Sequence, residues 1–240
     1  MVYNNLVVNG CSYMQAYVLG GGHEDLRQRL GMAHCESLAI GGSANSRIMR
    51  TTLKHSYQAT EPVFYVLGMT FLSRLEIPIL DNQPEFEGRW TNPQNQHYQA
   101  HWQHGWTKTD TDRFVDLKLK SEVFSILDRA EDLMYRILSM IHDLRARGHQ
   151  VLIYQQADNL YQPFLTDPRL SAYSGVSNII GGYAWRAVPW QLKNGVPCFD
   201  YGPDPAHEVP DEIKHPAPGH HHVLNQFLVD YIQSQHLLNR

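Results

Sequence analysis

The sequence predicts an α/β fold in which helices cover both faces of a parallel sheet. Short apolar runs of strand length alternate with helical patterns along the chain, as expected of strand–helix–strand units. The clearest run, residues 63–67, is hydrophobic at every position and fits a strand that is buried on both faces. With 240 residues, 42% of them hydrophobic, the chain is long enough to form one large domain.

Local patterns place the individual elements. Apolar runs that end at turn residues predict strands at residues 6–8, 34–40, 63–67, 151–154 and 196–199. Helices are predicted at residues 23–30, 45–57, 121–147 and 219–238. Asn45 or Ser46 is the expected cap of the second helix, and Gly148 the glycine that ends the third.

Two stretches show no regular pattern. Residues 158–195 are predicted to be irregular loops. Residues 78–116 are polar and are predicted to form an insertion or lid within a single domain that spans residues 1–240. This insertion holds Trp90, Trp102 and Trp106, which fit either an aromatic platform for a sugar ring or side chains that anchor a long loop.

Composition excludes several classes of protein. The net charge of -4 and the pI near 6.4 are unlike the basic surface of a nucleic-acid-binding protein. Cys11, Cys35 and Cys198 show no metal-ligand spacing and no disulfide framework. The sequence contains no signal-peptide pattern and no apolar stretch of about 18 residues. We therefore expect a cytoplasmic protein with neither a nucleic-acid nor a membrane partner.

Ser12 is the candidate nucleophile. It follows the first predicted strand in the run Asn9-Gly10-Cys11-Ser12-Tyr13, which resembles the first sequence block of the SGNH (GDSL-like) hydrolases. Cys11 stands where that family has aspartate. A serine at a strand-to-helix turn can present its hydroxyl at the edge of the sheet while its backbone N–H faces an oxyanion. The alternative is that Ser12 only caps a helix.

Two further blocks supply candidate oxyanion-hole donors. Gly41 and Gly42 follow the second predicted strand, as in block II, and Gly42 is the better positional match for the donating amide. Gly68-Met69-Thr70 resembles block III, with Thr70 where the family has asparagine. A threonine hydroxyl donates one hydrogen bond, with a shorter reach. Since Ser12, Gly42 and Thr70 all follow predicted parallel strands, we expect them to face one crevice.

The candidate base lies near the other end of the sequence. The segment from Asp211 to Pro216 resembles block V, in which His215 would accept the Ser12 proton. Glu212 holds the family's acidic position and Asp211 stands beside it, so either carboxylate is a candidate to orient the imidazole. A dyad that uses neither carboxylate is the remaining alternative.

These four blocks occur in the family's order, and the resemblance implies a fold and a chemistry. The implied fold is a three-layer α/β/α sandwich with a flavodoxin-like parallel sheet. The implied function is a serine esterase that hydrolyses a small acyl ester, such as a carbohydrate O-acetyl group, through an acyl-enzyme and without a cofactor. A non-catalytic binding module of the same fold and an acyltransferase with the same triad are the alternatives.

Other polar clusters have plainer explanations. His97, His101 and His104 would share one helix face and could bind zinc or copper, so a metal-dependent enzyme is a further alternative. No nearby carboxylate or cysteine offers a fourth ligand, so no metal is expected. His220, His221 and His222 begin the last predicted helix, where successive residues diverge by ~100°, so they cannot all bind one ion. His220 is the alternative to His215 as the base, or a residue that supports it. Arg74 and Glu76 are predicted to form a structural ion pair.

Overall fold

The computed structural model describes most of the sheet and the helices that pack on it. The described residues are 3–41, 43–70, 126–155, 176–183, 191–193, 196–198 and 221–238. The strands are β1 (Asn5–Asn9), β2 (His34–Ser37), β3 (Val63–Met69), β4 (Gln150–Gln155), β5 (Ile179–Tyr183), β6 (Gln191–Lys193) and β7 (Val196–Cys198). The helices are α1 (Ser12–Leu19), α2 (Gly22–Arg29), α3 (Asn45–Gln58), α4 (Ile126–Ala146) and α5 (His221–Ser234).

Five parallel strands form the main sheet in the order β2-β1-β3-β4-β5. This is the strand order of the flavodoxin-like doubly wound fold, so the predicted fold class is confirmed. In a sheet of this order, ligands bind outside the carboxyl ends of the strands, where the chain reverses its direction of travel across the sheet. That point lies between β1 and β3.

Alternate residues of β1 point to opposite faces of the sheet, and each face has its own hydrophobic core. Leu6 and Val8 pack with α1, α2 and α5 on one face of the sheet. Val7 packs with α3 and α4 on the other. β3 contributes to both cores and is buried along its whole length, as its continuous apolar sequence predicts. The molecule is therefore a three-layer α/β/α sandwich.

The strand predicted at residues 196–199 is confirmed as β7, but it pairs antiparallel with β6 outside the main sheet. The fifth strand of the main sheet is instead β5. The prediction that residues 158–195 are irregular loops was therefore wrong for β5 and for β6. Gly181 and Gly182 interrupt the apolar pattern of β5, and the pairing of β4 with β5 shifts register between Ile153 and Gln155. Glycines in a strand often mark such an irregularity.

Helix α1 is a second feature that the sequence patterns did not predict. Tyr13, Met14 and Tyr17 are buried in this short helix, and polar residues are too few to give it an obvious stripe. The glycine cluster at residues 20–22 separates α1 from α2, with Gly21 at φ 78°. That conformation is in the left-handed region, which suits glycine.

The remaining helices lie close to their predicted positions. α2 and α3 match within one residue at each end, and α5 is shorter than predicted. Gly148, at φ 83°, follows α4 and donates its N–H to the Arg145 carbonyl, so the predicted terminating glycine is confirmed. None of the helices in the described ranges is both long and apolar enough to cross a membrane.

A buried amide joins the end of β1 to α3. The Asn9 side chain is fully buried, and its Nδ2 lies 3.0 Å from the Ile48 carbonyl, 2.9 Å from Thr51 Oγ1 and 3.0 Å from Thr52 Oγ1. Its Oδ1 accepts a 2.9 Å hydrogen bond from the Gly10 N–H. This network fixes where β1 ends and where the following turn begins.

We predict that Asn9→Ala lowers the free energy of unfolding by about 2–3 kcal/mol, because it removes a buried amide and strips the Gly10 N–H of its acceptor. Asn5→Ala is the matched control, since Asn5 lies at the other end of β1 and its amide makes an exposed bond to Glu61. The control should cost less than about 0.5 kcal/mol. Urea denaturation measures both values, and equal losses would contradict this role for Asn9.

Candidate active site

Ser12 is the first residue of α1, just beyond the carboxyl end of β1. It is partly buried, at the sheet edge where this fold binds ligands. Cys11 is the N-cap residue, and no side-chain hydrogen bond caps the helix, so helix capping does not explain Ser12. The Ser12 N–H belongs to the first turn, where backbone donors have no acceptor within the helix.

The turn after β2 runs beside Ser12. The Leu38 N–H donates to the Val8 carbonyl at 2.9 Å, and the Ile40 N–H to the Gly10 carbonyl at 3.3 Å, so the chain follows β1 beyond the end of β2. A Cβ atom placed on Gly41 would lie 3.6 Å from Ser12 Cβ. The predicted block II turn and the candidate nucleophile are therefore neighbours.

Gly41 does not have a free amide for an oxyanion. Its N–H donates to Gln15 Oε1 at 2.8 Å. A Cβ on Gly41 would lie 2.7 Å from the same oxygen, so any other residue here would displace the end of the Gln15 side chain and disturb this bond. Gly42, the preferred donor in the sequence analysis, lies outside the described residues.

The residue after Gly42 is also held. Ser43 Oγ donates to the Ile40 carbonyl at 2.6 Å, and Arg47 Nη1 donates to Ser43 Oγ at 3.1 Å. Arg47 Nη1 also lies 3.3 Å from the Leu38 carbonyl. A buried guanidinium and the Gln15 amide therefore brace the turn on both sides of Gly42.

Thr70 lies at the same edge, beyond the end of the neighbouring strand. Asn9 pairs with Leu67, and Ser12 and Thr70 each follow their paired residue by three positions. Adjacent strands lie about 4.8 Å apart, so Ser12 and Thr70 follow neighbouring strand ends at the same edge of the sheet. Thr70 is 2% exposed, and its Oγ1 is buried without a hydrogen-bond partner among the described residues.

Asn45 holds the backbone of Thr70. The Thr70 N–H donates to Asn45 Oδ1 at 2.7 Å, and Asn45 Nδ2 donates to the Thr70 carbonyl at 3.0 Å. The prediction that Asn45 caps α3 was therefore wrong: the N-cap residue is Ala44, and no side chain caps the helix. The two bonds occupy the amide and fix the end of β3.

Cys11, at the position of the family's aspartate, belongs to the hydrophobic core. It is fully buried in the cluster that contains Val8, Met14 and Tyr154. Burial raises the pKa of the Tyr154 phenol above its ordinary value, in keeping with an apolar environment. An ionised carboxylate here would need its own partners, so cysteine suits this packing better.

Most of the other predicted functional residues lie outside the described part of the chain. These are His215, Glu212, Asp211, Arg74, Glu76, Trp90, Trp102, Trp106, His97, His101, His104 and His220. The described pair His221 and His222 begins α5, with His221 2% exposed and His222 exposed. These two imidazoles therefore diverge, as helical geometry requires.

The two ends of the sequence meet in the fold. The rings of Tyr17 in α1 and His221 in α5 pack edge to face, with their centroids 5.0 Å apart. Tyr17 Oη donates to Asn225 Oδ1 at 2.6 Å, and burial raises the pKa of the Tyr17 phenol well above its ordinary value. The helix that begins at Ser12 is thus fixed against the helix that follows the predicted base.

Two solved structures are similar to this chain over most of its length. One is a proposed acylhydrolase from Bacteroides fragilis, with a TM-score of 0.49, 12% identity and coverage of 96% of this chain and 87% of the other. The second is a GDSL-like lipase from Bacteroides thetaiotaomicron, with a TM-score of 0.49, 11% identity and coverage of 96% and 88%. No family model and no curated protein sequence matches the chain.

Sequence patterns missed the residues that hold the candidate site. Gln15 lies one helical turn after Ser12 and would have been recognisable once α1 was predicted. Asn45 was predicted to cap α3, whereas its side chain bonds the backbone of Thr70. The contacts of Asn9 and Arg47 join elements that are distant in sequence or irregular, so no local periodicity points to them.

We predict that Gln15→Ala speeds hydrogen exchange of the Gly41 amide about five- to tenfold, since the variant loses one hydrogen bond worth about 1 kcal/mol. Gln15→Glu keeps an acceptor at the same place and should preserve the protection. Exchange measured by NMR on both variants tests this bond, and unchanged exchange in Gln15→Ala would show that the side chain does not hold the turn.

Proposed function

We propose that the protein is a serine hydrolase that cleaves a small acyl ester, with Ser12 as nucleophile and His215 as general base. The proposal is supported by two observations: Ser12 and the Gly41 turn are neighbours, and Ser12 and Thr70 follow the ends of adjacent parallel strands at one edge of the sheet. The sequence blocks that resemble SGNH hydrolases supply the remaining assignments.

The reaction requires a base for the serine hydroxyl. His215 would take the proton from Ser12 Oγ as this oxygen bonds to the ester carbonyl carbon, and would return it to the departing alcohol. Water activated by the same imidazole then releases the acid and regenerates the serine. Glu212 or Asp211 would orient the imidazole and stabilise its charged form. These three roles rest on the sequence resemblance.

The chain length permits His215 to reach Ser12. His221 contacts Tyr17, which is five residues or about 7.5 Å along α1 from Ser12. The six residues from 215 to 221 span up to about 20 Å when extended. The extended span of residues 215–221 exceeds the distance along α1 from Tyr17 to Ser12. The position of His221 therefore permits His215 to reach Ser12.

The proposed oxyanion hole combines three donors. The Ser12 N–H lies in the first turn of α1, where the helix dipole favours negative charge. The Gly42 N–H would be the second donor, in the turn braced by Gln15 and Arg47. The Thr70 hydroxyl would be the third, because it has no hydrogen-bond partner in the described ranges and its proton could then bind a developing oxyanion.

The proposed substrate is a small acyl ester, with a carbohydrate O-acetyl group as the specific candidate. This choice follows the family resemblance, together with the aromatic platform that Trp90, Trp102 and Trp106 would offer a sugar ring. Transfer of the acyl group to a second alcohol uses the same triad and differs only in the acceptor. Analysis of products with and without a sugar acceptor distinguishes the two reactions.

A binding module without catalytic activity is the second candidate. The observation in its favour is that cysteine and threonine occupy the family's aspartate and asparagine positions, with Cys11 fully buried. A fluorophosphonate probe separates the two functions, because only an activated serine is labelled. The hydrolase proposal expects labelling at Ser12.

We predict that the purified protein releases p-nitrophenol from p-nitrophenyl acetate and that Ser12→Ala reduces kcat/KM at least about 10³-fold, because it removes the oxygen that would form the acyl-enzyme. Ser139→Ala is the matched control, since this serine is exposed on α4 and bonds only its own helix. Equal turnover by wild type and Ser12→Ala would remove the proposed nucleophile.

We predict that Thr70→Val lowers kcat about 10²-fold or more and changes KM little, because valine keeps the shape and removes the donor to the oxyanion. Since Thr70 Oγ1 has no partner in the described residues, the same change should not lower the free energy of unfolding. Thr70→Ser keeps the hydroxyl and should keep kcat within about tenfold of wild type. Steady-state kinetics and urea denaturation test both effects. Unchanged kcat in Thr70→Val would exclude this donor.

A further inference from the structure

Three side chains with different metal-binding donors meet between α2 and the edge strand β2. The imidazole of His23, the carboxylate of Glu24 and the thiol of Cys35 each place one donor atom within 4.8 Å of the other two. It is the one such group of three among the described residues. Cys35 pairs with Leu6, three residues or about 10 Å along β1 from Asn9. The cluster is therefore separate from the edge where Ser12 lies.

The donor atoms fit a single small cation. Ligand distances of about 2.0–2.3 Å around a tetrahedral Zn²⁺ put neighbouring donors about 3.3–3.8 Å apart, so closing the group requires a movement of about 1 Å. The Glu24 side chain is 47% exposed and can make most of that movement. Among the described residues His23 Nδ1 is buried without a hydrogen-bond partner, and an ion bound through this nitrogen would satisfy it.

Few existing interactions oppose closure. Glu24 Oε2 accepts a 2.7 Å hydrogen bond from Arg27 Nε in a partly buried ion pair, and this is the bond that closure breaks. Arg27 keeps its 2.7 Å bond to the Met32 carbonyl when Glu24 turns away. Cys35 Sγ lies 3.8 Å from the His23 carbonyl oxygen, so the thiol on β2 is already in contact with α2.

We propose that His23, Glu24 and Cys35 form a binding site for Zn²⁺, with the fourth coordination position open to water. A thiolate together with an imidazole selects a borderline-soft ion over Mg²⁺ or Ca²⁺, which prefer oxygen ligands. Binding forms three bonds to the ion and releases the thiol proton to solvent. The ion fastens the four-residue edge strand β2 to α2 and is independent of the proposed hydrolase site.

Electrostatics within the cluster favour two of the three ligands. Burial lowers the pKa of His23, which keeps the imidazole in the neutral form that binds metal ions. The hydrogen bond from Arg27 lowers the pKa of Glu24, so the carboxylate is already ionised before it exchanges this bond for the ion. Burial raises the pKa of the Cys35 thiol to about 12, so the ion must displace this proton.

The test is titration of the chelator-washed full chain with Co²⁺ and Zn²⁺. We expect one Co²⁺ per chain to produce a thiolate-to-cobalt charge-transfer band, which an equimolar amount of Zn²⁺ abolishes. Cys35→Ser should abolish the band and weaken Zn²⁺ binding about 100-fold, and Glu24→Gln, at an exposed side chain, should weaken binding about tenfold or more. Excess Zn²⁺ should raise the wild-type Tm by about 5–10 °C.

His34→Gln is the matched control, since His34 is exposed and precedes Cys35 on the opposite face of β2. This variant should bind Zn²⁺ like wild type. A cobalt complex without the thiolate band, or equal Zn²⁺ affinity of wild type, Cys35→Ser and Glu24→Gln, would overturn the proposal and assign the bound ion to other histidines. If Cys35→Ser misfolds, Glu24→Gln still tests the proposal, because this change alters only an exposed side chain.

Discussion

The carboxyl edge of the sheet depends on the buried amide of Asn9. Its bonds to α3 and to the Gly10 N–H set the end of β1 and therefore the start of α1. α3, held at this point, brings Asn45 to the end of β3, where both atoms of its amide engage the backbone of Thr70. Two buried asparagines thus fix the relative position of two strand ends, which side-chain packing alone would hold less exactly.

The candidate site combines a braced backbone with one unsatisfied hydroxyl. Gln15 and Arg47 hold the residues on either side of Gly42, and Asn45 holds the backbone of Thr70. Thr70 Oγ1 is the exception, because it is buried without a hydrogen-bond partner among the described residues. A native fold tolerates such a group at a cost of about 1–3 kcal/mol, and a role in binding an oxyanion would explain why it is kept.

The sequence predicted the elements whose pattern reflects their burial. β3 is apolar throughout because both of its faces are covered, and α3 carries Ile48 and Met49 on the face that packs on the sheet. α1 and β5 escaped prediction for opposite reasons. α1 is short and has too few polar residues for a clear stripe, whereas glycines interrupt the apolar run of β5.

The candidate site was predictable only in outline. Ser12 and Thr70 were located because turns after parallel strands share one edge. The bonds of Gln15 to Gly41 and of Asn45 to Thr70 span 26 and 25 positions and leave no periodic trace in the sequence. Asparagine is a favoured N-cap residue, so the sequence predicted Asn45 as a cap of α3. Its side chain instead bonds the backbone of Thr70.

The most direct measurement of the central claim is a crystal structure of the protein after reaction with a fluorophosphonate. Loss of fluoride leaves phosphorus bonded to the attacking oxygen, in a tetrahedral group that resembles the acyl-transfer intermediate. The account predicts phosphorus on Ser12 Oγ, with the phosphoryl oxygen within about 2.7–3.1 Å of the Ser12 N–H nitrogen and of Thr70 Oγ1. An unmodified Ser12, or a phosphoryl oxygen directed away from Thr70, would contradict it.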